Sequence, residues 1–213
     1  MKLSLLALSL AAAVPAIAGT SAKEVIAPAA PSLWSWFAGA SIGQLDDFDE
    51  TMYHGHVGVD TPWSVGGWGV ALFAELGQVD AEKPGYQPGN IAPPLNAPTS
   101  RSVQEFEIMP LTFNVKLERP ITGQLSAYMG AGLGVAFVDY SVSGGFVPPV
   151  SDEDEAFAAQ AFAGLLYNVA PSVEIFGGAR WIYVDYTAPV AAGPEPLSFD
   201  DDFLFEVGMR YNF

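Results

Sequence analysis

A chain of 213 residues holds one large domain or two small ones, and its 24 acids against 8 bases give a formal charge of -16. That balance excludes nucleic acid as a partner, because phosphate binding needs a basic footprint; the absence of cysteine excludes disulfides, thiolate metal ligands and thiol nucleophiles. Only 15% of residues are charged, against roughly 25% in a typical soluble protein, so the acids are expected to cluster outside the main body.

The first element is an address. Lys2 precedes the apolar run LSLLALSLAAAV, and Pro15 leads into Ala16-Ile17-Ala18, a small-x-small cleavage pattern. Residues 1–18 therefore read as a secretory signal peptide cut near Gly19; the run is shorter than the ~20 residues of a spanning helix. A flexible Ala/Pro-rich lead over 19–33 follows, and a single domain is expected over 34–213.

From Trp34 onward one theme repeats. Segments of alternating apolar and small or polar residues fall at 34–45, 52–62, 66–79, 102–118, 124–142, 155–168, 172–187 and 200–213. Period two means half-buried strands, not helices. Short turns are expected at Trp63–Gly66, Arg119–Gly123 and Asn168–Ser172, and longer links at Asp46–Thr51, Asp80–Arg101, Ser143–Asp154 and Ala188–Phe199. Eight strands with short connections at one end and long ones at the other describe a closed up-and-down antiparallel transmembrane β-barrel of the bacterial outer membrane. Its short turns and N-terminus are expected in the periplasm and its long loops outside the cell.

The two faces of each strand choose the solvent. In YMGAGLGVAF, Met129, Ala131, Leu133, Val135 and Phe137 share one face, and Gly130, Gly132 and Gly134 the other. A soluble barrel would dress its outer face with Lys and Glu; here the non-apolar face is mostly Gly, Ala and Ser, which suits the inside of a narrow eight-stranded barrel. The apolar face is then expected in lipid, where no water could satisfy an open sheet edge. Trp34, Trp36, Phe37, Trp63, Trp68, Tyr128, Phe137, Tyr140, Tyr167, Trp181, Tyr183, Phe203, Tyr211 and Phe213 lie towards segment ends, as the aromatic girdles of such barrels do.

The signal peptide, the eight alternating segments, the Gly-rich YMGAGLGV and the terminal FEVGMRYNF together resemble the small bacterial outer-membrane barrels of the OmpA-like and opacity-protein type. MPLTFNVK (Met109–Lys116) is similar to a strand of that superfamily, and the resemblance runs from about Trp34 to Phe213. It implies that the C-terminal aromatics, Tyr211 and Phe213, belong to the signal read by the barrel-assembly machinery. No appended peptidoglycan-binding domain is expected, which removes any wall-anchoring inference.

Strand phase places Asp60, Glu75, Lys116, Glu118, Glu174, Arg180, Glu206 and Arg210 in the lumen. Counting from the last short turn, Arg180 is expected near the level of Glu206, and Glu174 near Arg210. Such charges either pair and plug the lumen or line a conducting path. His54 and His56 share one strand face near the outer mouth, where they form either a weak divalent-metal site or two polar residues at a water-filled rim. The acids Asp46, Asp47, Asp49, Glu50, Asp152–Glu155, Glu195 and Asp200–Asp202 fall in expected outer loops; they either solvate those loops or share calcium or magnesium with anionic lipopolysaccharide. No cofactor is otherwise expected. With both histidines lumenal and no G-x-S-x-G or H-E-x-x-H present, a lipid-facing nucleophile has no base, and catalysis is not expected. The expectation is a monomer with a structural or surface-interaction role; a narrow porin is the alternative, and a lipid-modifying enzyme a more distant one.

Overall fold

The computed structural model describes residues 34–46, 50–84, 103–143, 150–187 and 198–213; the expected signal peptide, the expected N-terminal lead and most of the expected long links lie outside them. Eight strands run β1 (Ser35–Leu45), β2 (Thr51–Val65), β3 (Trp68–Pro84), β4 (Val103–Pro120), β5 (Leu125–Ser143), β6 (Val150–Ala170), β7 (Val173–Thr187) and β8 (Ser198–Asn212). Each is antiparallel to its sequence neighbour, and β8 returns to β1, from Phe37 opposite Asn212 to Leu45 opposite Leu204, so the sheet closes. The wall then has no open edge, which hydrocarbon demands, although the ladder shifts register between Asp60 and Ser64, Asn168 and Ala170, and Tyr183 and Tyr186.

Strand ends depart from the sequence reading in an instructive way. Asp152–Glu155, expected in a loop, belong to β6, where Glu153 opposes Asp139 and Glu155 opposes Phe137. Asp200–Asp202, counted among the outer-loop acids although inside the 200–213 segment, belong to β8, with Asp202 buried inside the barrel, and Asp80 belongs to β3. A charge does not end a strand whose neighbour continues: beyond the lipid, an outward carboxylate stands in water while its backbone still pairs. Strands reach 21 residues in β6, about twice the 9–11 that a membrane crossing needs. At the opposite end, Trp63 lies within β2, and the turn is the pair Gly66 (φ 59°) and Gly67 (φ 83°). Two consecutive left-handed residues match the twist of a two-residue hairpin, and glycine adopts them without strain.

The apolar face points outward. Met129, Leu133 and Val207 are 45%, 62% and 59% exposed on the barrel's outer surface. On β8, Phe205, Val207, Met209 and Tyr211 face out while Glu206 and Arg210 are buried inside. At the short-turn end Trp34 meets Trp63 edge-on with ring centres 5.5 Å apart, and Tyr211 stacks on Phe213 at 6.4 Å. Towards the other end Trp181 stacks on Tyr183 at 6.0 Å. Three members of the expected girdle do not belong to it: Phe37, Tyr128 and Tyr140 are buried in the lumen. Position near a strand end suggested the girdle, but phase decides the face.

The lumen is also less uniformly small than its glycines suggest. Those glycines mark where large side chains from elsewhere come to rest. A Cβ on Gly164 or Gly178 would lie 2.6 or 2.7 Å from the Tyr128 Oη, and one on Gly58 would lie 2.6 Å from the Phe37 ring. The wall is thinned so that the interior can be filled with rings.

Candidate functional site

Four layers fill the lumen. Nearest the short turns is an ion cluster around Arg210 of β8. Its guanidinium binds Glu174, its register partner on β7, and reaches Asp60 of β2 at 3.4 Å and Glu118 of β4 at 3.6 Å. Lys116, two residues from Glu118 and so on the same face, donates to it at 3.0 Å. An open vestibule of about 320 Å³ bounded by Asp60, Glu118, Glu174 and Arg210 connects this cluster to the turn end.

Above it, six rings form a closed annulus. Phe37, Phe73, Phe162, Tyr128, Phe176 and His56 form a closed loop of ring contacts with centroids 5.8 to 6.3 Å apart, and His56 also meets Phe73 across it at 5.7 Å. This spacing suits edge-to-face and tilted aromatic packing. Cations sit against the annulus from both sides: Arg210 lies 4.5 Å and Lys116 5.6 Å from the Phe37 ring centre, and Arg180 lies 5.3 Å from that of Phe162. Ring faces are electron-rich, so they replace part of the hydration these cations lose.

The third layer is built on Arg180 of β7, only 3% exposed. Its planar fork binds Glu75 of β3, across the barrel, through both terminal nitrogens, and Glu206 of β8 at 3.0 Å. Gln160 of β6 accepts from Arg180 at 2.8 Å and donates to Glu75 at 2.9 Å and to Asn114 at 2.7 Å, while the Ser41 hydroxyl donates to Glu206 at 3.0 Å. Two carboxylates around one guanidinium leave an uncompensated negative charge in the cluster. The neutral amides and hydroxyls of Gln160, Asn114, Thr112 and Ser41 supply the remaining polar contacts. Arginine serves where lysine would not, because one rigid fork addresses two carboxylates at once.

The fourth layer is an apolar cap towards the long-link end, where Leu45, Met52, Val79, Ile108, Val138, Val184 and Leu204 form one buried cluster. It changes the place of the histidines. His54 is 4% exposed and lies beneath the cap, so the pair does not stand at a water-filled rim. The strands overrun the lipid belt, and the true mouth lies several residues further along. The His56 Nδ1 is 3.9 Å from the Glu75 Oε2. Among the described residues no group of three His, Cys, Asp or Glu side chains is placed to hold a metal ion.

The eight charges that strand phase places in the lumen thus fall into two clusters. Arg180, Glu75 and Glu206 form one; Arg210, Glu174 and Lys116 form the other, with Asp60 and Glu118. Tyr211 and Phe213 face outward at the turn end, 53% and 68% exposed. Sequence reasoning missed Gln160 and the annulus. Gln160 is the one polar residue in AFAAQAFAG, and a lone amide in an apolar strand was the available signal. The annulus had none, because its rings come from six different strands.

A closed ring of eight strands, apolar outside and ionic within, defines a small transmembrane β-barrel of the outer-membrane type. Among solved structures the chain is similar to a major outer membrane protein from Thermus thermophilus, with TM-score 0.58, 11% identity, and coverage of 84% of this chain and 99% of that one. It is similar also to the Neisserial surface protein A, with TM-score 0.54, 13% identity, and coverage of 85% and 98%. At such identities the likeness is one of fold. No protein-family model matches the chain, and no curated protein matches it.

Proposed function

We propose that this protein is a monomeric, non-conducting outer-membrane barrel with a structural or surface-interaction role, its short turns in the periplasm and its long-link end outside the cell. One observation carries the reading: Arg180 grips Glu75 and Glu206 from two sides of the lumen, directly against a closed ring of aromatic side chains. An apolar cap covers that plug. Planar-bilayer recording of the refolded protein tests it. The expected result is no ion conductance, and steady unitary currents from the unmodified barrel would establish the narrow porin instead. A non-catalytic role is supported by the lumenal position of both imidazoles, out of reach of a lipid-facing nucleophile; altered lipid A in the mass spectrum of co-purified lipid would overturn it. The outward, stacked Tyr211 and Phe213 suit a contact with the barrel-assembly machinery on the last strand.

A second reading concerns divalent cations. Asp80, Glu107, Asp139 and Glu153 are successive register partners on β3, β4, β5 and β6, and so make a row of four outward carboxylates just beyond the apolar belt. Like charges directly opposite each other destabilise a sheet by roughly 0.2–1 kcal/mol a pair. Calcium or magnesium shared with lipopolysaccharide phosphates would relieve that repulsion. Millimolar calcium is expected to raise the melting temperature, and Glu107→Gln to raise it without calcium and shrink the calcium increment. No shift with calcium would end the idea.

A further inference from the structure

The annulus encloses a cavity of about 40 Å³ that the plug itself does not require. Three buried polar atoms on its lining side chains have no partner among the protein's atoms: Arg180 Nε, Tyr128 Oη and His56 Nδ1. The rest of the Arg180 fork is occupied by Glu75, Gln160 and Glu206. Its Nε–H can only donate, Tyr128 Oη both donates and accepts, and a neutral imidazole nitrogen does one or the other. A side chain only 3% exposed, such as Arg180, does not present that proton to bulk solvent. Buried polar groups are rarely left in this condition.

We infer that the annulus holds resident water bonded to Arg180 Nε, Tyr128 Oη and His56 Nδ1, within the ring layer between the two ion clusters. In the same measure of volume a cavity needs about 10–15 Å³ to admit a water, and the water needs two to four polar partners; the cavity supplies both. The charges around it select a neutral occupant. Arg180, Lys116 and Arg210 line the cavity together with Glu75 and Glu206, and each of these cations already holds a carboxylate, so neither an added cation nor an added anion finds an unpaired countercharge. A dipole that donates and accepts answers every lining group.

The supply route is one-sided. Arg210 lines both this cavity and the vestibule at the turn end, whereas the apolar cap closes the far side. Water therefore exchanges with the short-turn side, and the cell is the most solvated point of an otherwise dry ring layer. The aromatic annulus is then a barrier to ions that holds water at its centre.

The test is water–protein cross-relaxation in lipid nanodiscs, read at the Arg180 Nε–H of the full-length barrel, with xenon and bromide as competing probes. The expected result is a persistent water signal at Arg180, no xenon uptake and no bromide in the cell. Tyr128→Phe, which keeps the ring and removes one partner, is expected to weaken that signal while the barrel stays folded; an unchanged signal would overturn the assigned site. Xenon entering without any water signal would mean a dry apolar void, and bromide density beside Arg180 would mean an anion site. Either result overturns the proposal.

Discussion

Arg180→Ala is expected to destabilise the barrel by about 3–5 kcal/mol, the cost of removing one partner from a buried ion network. The reason is what remains. Glu75 and Glu206, with side chains 3% and 1% exposed, would face one another with no cation between them and no bulk water to screen them. Gln160 and Ser41 would still donate to them, but neutral donors do not cancel two charges. Urea unfolding in lipid vesicles reads the loss directly. Arg180→Lys should fall between, since it restores the charge without the fork that addresses both carboxylates. The triple replacement Glu75→Gln, Arg180→Met, Glu206→Gln should recover most of the loss, because exchanging a whole buried network for neutral groups is often close to neutral. The same Arg180→Ala variant is the one most able to conduct. A loss below about 1 kcal/mol, the scale of an exposed pair, would mean that the cluster is bathed in solvent and that the lumen is not plugged.

Leu133→Arg is expected to cost about 2–4 kcal/mol in a bilayer, the penalty for a charge on the lipid face near the midplane. Leu133 sits near the middle of β5, 62% exposed on the outer surface and opposite Phe113, itself 70% exposed. In water an exposed leucine is replaced by arginine almost freely. Asp139→Arg, six residues along the same outward face, supplies the contrast: it lies beyond the apolar belt and breaks a row of like charges, so it should be neutral or stabilising. Equal tolerance of both substitutions would show that no hydrocarbon surrounds β5. So would a mature chain that folds in plain buffer.

Much of the architecture was legible in the residues. Eight alternating segments became eight strands, and strand phase alone assigned Met129, Leu133 and Val207 to the outward face they occupy. What failed was local and had physical causes. Asp152–Glu155 look like loop because carboxylates are poor strand formers, yet β5 extends far enough to hold them in a ladder. Phe37 and Tyr128 look like girdle because they are aromatic and near strand ends, yet their phase turns them inward. His54 looks like rim because it lies near the start of β2, yet the apolar cap stands above it.

By itself the amino-acid sequence determined the strand count, the closure and, the aromatics Phe37, Tyr128 and Tyr140 apart, which face of each strand turns outward, because a period of two assigns every residue to one of two faces. Which residues meet inside was decided only by the tertiary structure. A face assignment carries neither height nor direction across a hollow, and strand tilt and stagger bring together groups as distant in sequence as Glu75 and Arg180, 105 positions apart. The annulus of rings, drawn from six strands, exists only once the sheet has curled and its last edge has met its first.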